Sequence, residues 1–112
     1  MEKVANFING KSVESSSNET TAIVDPVTGK AYAEAAKSNQ KDIDAAMSAA
    51  EKAFESWRET TPSERQRALI KIADAIESRQ EEFINIESKN TGKPISLTAS
   101  EEIPPMVDQI RF

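Results

Sequence analysis

The first third of the chain alternates short apolar stretches with turn sequences, a pattern typical of antiparallel strands. Asn9-Gly10 separates two such stretches, and this dipeptide supplies the two positive φ angles of a two-residue hairpin turn. Asp25-Pro26 opens a second turn that Gly29 closes, between the apolar residues of 21–24 and those of 31–36. We therefore predict strands over about residues 5–36, joined by two successive antiparallel connections.

From Asn39 onward the apolar residues recur at intervals of three and four, the spacing of one helical face. Asn39 and Thr61 are each followed three residues later by an acidic residue, which predicts two capping boxes, the second strengthened by Pro62. A shift in the apolar phase near residues 77–80 predicts a break before a third helix, and Gly92 ends that helix. The first apolar stripe, which we expect to lie in the core, consists of Ile43, Met47, Ala50, Phe54 and Trp57.

A fourth helical segment is predicted from about residue 96 onward, so that helices cover about residues 40–112. Pro104-Pro105 must lie near the start of this helix or at a kink, because proline has no N–H to donate. No capping residue or polar tail follows Ile110-Arg111-Phe112, and we expect the 112-residue chain to stop in the middle of a helix. The apolar face of this segment contains Ile103, Met106, Val107 and Ile110.

Composition limits the chemistry that these elements can carry. The 112 residues include no Cys and no His, which excludes a disulfide scaffold, a thiol nucleophile and the commonest general base. A net charge of −5 argues against binding to nucleic acid or to an anionic membrane surface. No apolar run approaches the roughly 20 residues of a membrane span, and Met1-Glu2-Lys3-Val4 lacks the apolar core expected of a signal peptide. The expected location is the cytoplasm.

Three polar clusters are candidates for chemistry, and each is better explained by a structural role. The basic run across the first two helices fits a solvated helix face better than a phosphate site. Glu101 and Glu102 diverge by about 100° on a helix, so with Asp108 they fit helix-dipole partners better than a catalytic pair. Residues 90–93 lack the glycine spacing of a phosphate loop. The basic run consists of Arg58, Arg65, Arg67 and Lys71.

Six short motifs follow one another along the chain. Each motif alone is weak evidence for a family, but the order of all six is specific. They are Phe7-Ile8-Asn9-Gly10-Lys11, Asp25-Pro26-x-Thr28-Gly29, Asp42-Ile43-Asp44-x-Ala46, Phe54-x-x-Trp57, Pro62-x-x-Arg65 and Glu87-x-x-Asn90-Thr91-Gly92-Lys93-Pro94. In this order they resemble the N-terminal region of an NAD(P)-dependent aldehyde dehydrogenase. Residues 101–112 most resemble the aminoaldehyde branch, which includes γ-aminobutyraldehyde and betaine-aldehyde dehydrogenases.

The resemblance implies an α/β, Rossmann-like fold for a parent protein several times longer than this chain. Residues 1–112 would form the N-terminal part of its dinucleotide-binding domain, a β-hairpin region followed by about four helices. The partners implied are the remainder of the parent chain, a small aldehyde, and further copies in a dimer or tetramer.

The family chemistry is covalent. A Cys thiolate attacks the aldehyde, hydride passes to NAD or NADP, and a Glu-activated water hydrolyses the resulting thioester. The residues that do this, and those that bind the cofactor, match positions beyond Phe112. Residues 1–112 alone are therefore expected to be inactive. A stand-alone helical protein-interaction module without catalysis is the alternative reading.

The resemblance also implies one candidate ligand set within this chain. Many family members bind a structural monovalent cation through a main-chain carbonyl at the position of Val24 and an acidic side chain at the position of Asn90. Asparagine keeps an oxygen ligand there but has no charge, which weakens binding to a hard cation. An ordinary role for Asn90 near a helix C-terminus stays open.

Overall fold

A computed structural model describes all 112 residues, which divide into two compact units. The first unit contains residues 1–24 and 30–59, and the second contains residues 25–29 and 60–112. None of the helices combines the length and the apolar character that crossing a bilayer requires.

The first unit holds a three-stranded sheet and a separate hairpin. The strands are β1 (Glu2–Val4), β2 (Asn6–Ile8), β3 (Lys11–Val13), β4 (Thr20–Val24) and β5 (Ala31–Ala36). In the sheet, of order β1-β5-β4, β5 is parallel to β1 and antiparallel to β4. Asn9 and Gly10, at φ 51° and 76°, form the turn of the antiparallel β2–β3 hairpin, so both predicted antiparallel connections are confirmed. The parallel β1–β5 pairing was not predicted, because its two strands are distant in sequence.

Helix α1 (Gln40–Trp57) completes the first unit and begins at the predicted capping box of Asn39 and Asp42. The prediction that its apolar stripe lies in the core is wrong for this chain. The four largest stripe residues are between 47% and 66% exposed, because in this unit no second layer of structure covers that face. They are Ile43, Met47, Phe54 and Trp57.

The second unit is helical, and its helices begin and end at the predicted breaks. The helical elements are α2 (Pro62–Ser78), α3 (Gln80–Thr91), α4 (Ile95–Leu97), a π-helical turn (Thr98–Glu102) and α5 (Ile103–Arg111). Thr61 caps α2 with a capping box, Arg79 separates α2 from α3, and Gly92 ends α3 in the left-handed conformation. Helix α5 packs against α2, and the buried apolar residues of this unit are Ala73, Ile103 and Val107.

The two prolines lie at the start of α5, one of the two predicted positions, and the π-helical turn comes directly before this helix. The N–H of Ile103 donates to the carbonyl of Thr98, five residues earlier, rather than to the carbonyl of residue 99. Pro104 and Pro105 follow at the first turn of α5, where their missing N–H groups cost least. The segment therefore continues as a helix through a double proline by widening one turn.

We expect Gly92→Ala to lower the free energy of unfolding of the second unit by about 1–2 kcal/mol. Gly92 has φ 78°, and an added Cβ would lie 3.1 Å from Cγ of Pro26. Gly29→Ala is the matched control: its φ is 67°, but nothing lies within 4 Å of an added Cβ. Urea unfolding of the whole protein should show the larger loss for Gly92→Ala, and equal losses would mean that the Pro26 contact contributes nothing.

Candidate functional site

The two candidate cation ligands lie on different elements and in different units. Val24 is the last residue of β4, beside an irregularity in its pairing with β5. Asn90 lies in the last turn of α3, before Gly92. No group of three or more His, Cys, Asp or Glu side chains in the chain is arranged to hold a metal ion. The assignment of Val24 and Asn90 to a cation site stays a prediction.

The only passage from a strand into a helix, from β5 to α1, does not fit the phosphates of a dinucleotide. A dinucleotide turn needs glycines so that the backbone can approach the pyrophosphate at a helix N-terminus. Residues 37–39 contain no glycine, and the first turn of α1 already holds the carboxylate of Asp42. The three glycines of the chain lie instead in the hairpin turn, in the turn of residues 25–29 and at the end of α3.

Asp42 is the best-connected carboxylate of the first unit. Its Oδ1 accepts from the N–H of Ser16 at 3.0 Å, and its Oδ2 accepts from the N–H of Asn39 at 3.0 Å and the hydroxyl of Ser15 at 3.1 Å. These bonds, above all those from the N–H groups of Asn39 and Ser16, hold the pKa of Asp42 below its ordinary value. Asp42 therefore stays ionised, and its hydrogen bonds join the loop before β4 to α1. Because these structural donors occupy its oxygens, Asp42 is unsuited to proton transfer.

Glu102, one of the candidate catalytic carboxylates, is half of an ion pair. Lys93 Nζ lies 2.7 Å from Glu102 Oε1 and 3.6 Å from Glu87 Oε1. The bond to Glu102 raises the pKa of Lys93 above its ordinary value, so the amine stays charged. Glu101 and Glu102 belong to the π-helical turn and Asp108 to α5. The structure therefore supports no acid–base pair among the three.

Two residues of the basic run have structural partners, Arg58 and Arg65. Arg58 forms an exposed ion pair with Glu59 at 3.2 Å. Arg65 donates from Nη1 to the carbonyl of Thr60 at 2.6 Å, just before the cap of α2. Neither geometry makes a phosphate site.

Arg111 forms two ion pairs that we did not predict from the sequence. Its guanidinium Nη2 lies 2.8 Å from Asp74 Oδ1 and 2.7 Å from Glu77 Oε2, which ties the end of α5 to α2. Hydrogen bonds to Glu77 and then Asp74 raise the pKa of Arg111, and the same contact lowers the pKa of Glu77. Asp74 and Glu77 are three residues apart on one face of α2, and this spacing was the feature of the sequence that could have indicated a site for a cationic side chain.

Apart from these ion pairs, the surfaces that stand out are apolar. Helix α1 exposes its stripe, and the second unit exposes Leu69, Ile72 and Ile86 at 50%, 51% and 58%. Apolar patches of this kind mark surfaces that other protein covers. The exposed apolar side chains of this chain are suited to packing against other protein and not to catalysis.

Comparison with known proteins identifies what this architecture belongs to. Residues 12–112 match the model of the aldehyde dehydrogenase family. The chain is 41% identical over 107 residues to human 2-aminomuconic semialdehyde dehydrogenase, covering 96% of this chain and 22% of that protein. It is also 41% identical over 108 residues to the NADP/NAD-dependent aldehyde dehydrogenase PuuC of Escherichia coli K12, covering 95% and 22%.

The fold agrees with the sequence matches. The NAD+ complex of aldehyde dehydrogenase from Bacillus cereus superposes with a TM-score of 0.94 at 36% identity, over 98% of this chain and 23% of that one. The α/β fragment predicted from the motifs is thereby confirmed. The chain spans less than a quarter of the length of these relatives. This chain belongs to the aldehyde dehydrogenase family.

Proposed function

We propose that residues 1–112 are the N-terminal part of the dinucleotide-binding domain of an NAD(P)-dependent aldehyde dehydrogenase. The observation that supports this most strongly is the TM-score of 0.94 over 98% of the chain, reached within only 23% of a dehydrogenase. The proposed reaction is oxidation of an aldehyde to a carboxylic acid through a Cys thioester, with NAD or NADP as the hydride acceptor. The proposed enzyme works in the cytoplasm as a dimer or tetramer.

The catalytic and cofactor-binding groups of this proposed enzyme lie outside residues 1–112. The chain has neither Cys nor His, and its strand-to-helix turn does not fit a dinucleotide. Its own part in the reaction is structural: the exposed faces of α1 and α2 pack on the rest of the parent chain. Residues 1–112 alone are therefore inactive under this proposal.

The proposed substrate is an aminoaldehyde. Two features support it: the resemblance of residues 101–112 to that branch, and the relative whose name specifies 2-aminomuconic semialdehyde. A cationic or polar substrate of this kind would be selected by residues outside the 112.

The test is turnover by the whole protein translated from the native reading frame. We expect reduction of NAD or NADP, followed by absorbance, with γ-aminobutyraldehyde and betaine aldehyde, and weaker turnover of acetaldehyde and hexanal. Residues 1–112 serve as the control and should give none. Preference for simple aliphatic aldehydes would contradict the substrate class, and turnover by residues 1–112 would contradict the structural role.

The alternative, a stand-alone interaction module, is favoured only by the exposed stripe on α1. It predicts that residues 1–112 form a monodisperse, cooperatively unfolding monomer. The main proposal predicts a loosely packed or aggregating species that binds hydrophobic dyes, because its apolar faces lack their cover.

We also propose that the main-chain carbonyl of Val24 and the side chain of Asn90 contribute to a structural monovalent cation site in the whole enzyme. Asn90→Asp should strengthen the site by restoring a charged oxygen ligand. The expected result is a larger rise in unfolding temperature on exchanging choline for potassium or sodium than the unchanged protein shows. Asn18→Asp, in an exposed loop, is the control. Identical salt responses in all three proteins would reject the site.

A further inference from the structure

We propose that Asn9 is a site of spontaneous deamidation, in which the main-chain nitrogen of Gly10 attacks the side-chain amide. The two residues form the exposed tip of the β2–β3 hairpin, at φ 51° and 76°. Neither the side chain of Asn9 nor the N–H of Gly10 makes a hydrogen bond. Nothing lies within 4 Å of the position that a Gly10 Cβ would occupy. The nucleophile and the carbonyl carbon it attacks are therefore adjacent, unblocked and not held by other groups.

The other asparagines differ in the groups that hold them. The side-chain oxygen of Asn6 accepts a hydrogen bond of 2.8 Å from a serine hydroxyl. Asn39 caps α1 and accepts from the N–H of Asp42 at 3.2 Å. The amide that follows Asn18 donates to a serine hydroxyl at 3.2 Å. Asn85 and Asn90 are each followed by a residue within α3, whose main chain is fixed by the helix. Attack at any of these five first requires a bond or a helical turn to break.

The chemistry balances without a cofactor or an oxidant. The deprotonated main-chain nitrogen of Gly10 forms a bond to Cγ of Asn9, the Cγ–Nδ2 bond breaks, and ammonia leaves. Water then opens the five-membered succinimide at either carbonyl and yields aspartate or isoaspartate. The net change is one water consumed and one ammonia released. Because the amide must lose a proton first, the rate rises with pH.

The hairpin that carries this turn is short enough to open. Its strands have three residues each, and an isolated two-stranded hairpin is marginally stable. Local opening lets the turn adopt the geometry that closes the ring. Isoaspartate then adds a methylene group to the main chain of a two-residue loop whose ends, Ile8 and Lys11, are paired. That insertion breaks the register of β2 with β3.

The experiment is a time course on the whole native protein, kept folded in mildly alkaline and in mildly acidic buffer and then digested with trypsin. Cleavage after Lys3 and Lys11 releases one peptide that contains both Asn6 and Asn9, so the two are compared within a single molecule. Electron-based fragmentation separates aspartate from isoaspartate. We expect conversion at Asn9, several-fold faster than at Asn6 or Asn18, faster in alkali, and abolished by Asn9→Gln.

Three outcomes would overturn the proposal. Asn9 would stay an amide while the protein is folded; Asn6 or Asn18 would convert as fast as Asn9; or conversion would begin only after denaturation. Hydrogen exchange adds a separate readout, because isoaspartate at position 9 should lose the protection of the amides of Lys11 and Val13. Retained protection in the isoaspartate form would reject the predicted loss of register.

Discussion

Replacing Ile103 by alanine is expected to destabilise the second unit by about 2–5 kcal/mol, the largest single effect in this chain. Ile103 is 4% exposed and lies on the face of α5 that packs against α2, together with Val107 at 3%. The substitution leaves a cavity in the second unit. Because few apolar side chains are buried there, few of them can move to fill it. Equilibrium unfolding of the whole protein in urea, or hydrogen exchange of its α2 and α5 amides, measures the loss.

Met106→Ala is the matched control on the same helix. Met106 is 42% exposed, so its truncation removes little buried surface and should cost well under half as much as Ile103→Ala. Similar costs for the two variants would show that the packing of α5 on α2 is not what holds this unit together.

Asp42→Ala is expected to release the loop before β4 from α1, the second large effect. The substitution leaves the N–H groups of Ser16 and Asn39 and the hydroxyl of Ser15 without their carboxylate. The hydroxyl of Ser15 still has the carbonyl of Lys37 as an acceptor at 2.7 Å, so the cost arises mainly from the N–H groups of Ser16 and Asn39, which lose their acceptor. The loss should exceed that of Thr61→Ala, which removes an ordinary cap worth about 1 kcal/mol. Hydrogen exchange at residues 15–19 and 39–43 would show whether the loop is released.

The same carboxylate makes stability depend on pH in one direction. The pKa of Asp42 is lower in the folded chain than its ordinary value of 3.8, so its ionised form stabilises the fold. That contribution is complete above pH 3.8 and is lost as the pH falls through the folded-state pKa. The unchanged protein should therefore lose more stability than Asp42→Asn on acidification below about pH 4. Parallel acid profiles for the two would contradict this.

The candidate sites show why function was harder to read than fold. Family membership followed from the order of six motifs, and the comparisons confirm it. The cation assignment of Val24 and Asn90 is still a prediction, because spacing along the chain does not say which carbonyl and which side chain share one ion. The absence of Cys and His means only that residues 1–112 contain no thiol nucleophile and no imidazole base.

By itself, the sequence determined the features that depend on hydrogen bonds within a few residues. The caps at Asn39 and Thr61, the break at Arg79 and the left-handed end at Gly92 are all local, and all are confirmed. Tertiary structure decided the pairings between distant segments: β1 with β5, Lys93 with Glu102, and Arg111 with Asp74. It also decided that the stripe on α1 stays exposed in this chain. Periodicity marks a face as apolar, but only the fold brings the atoms that bury it.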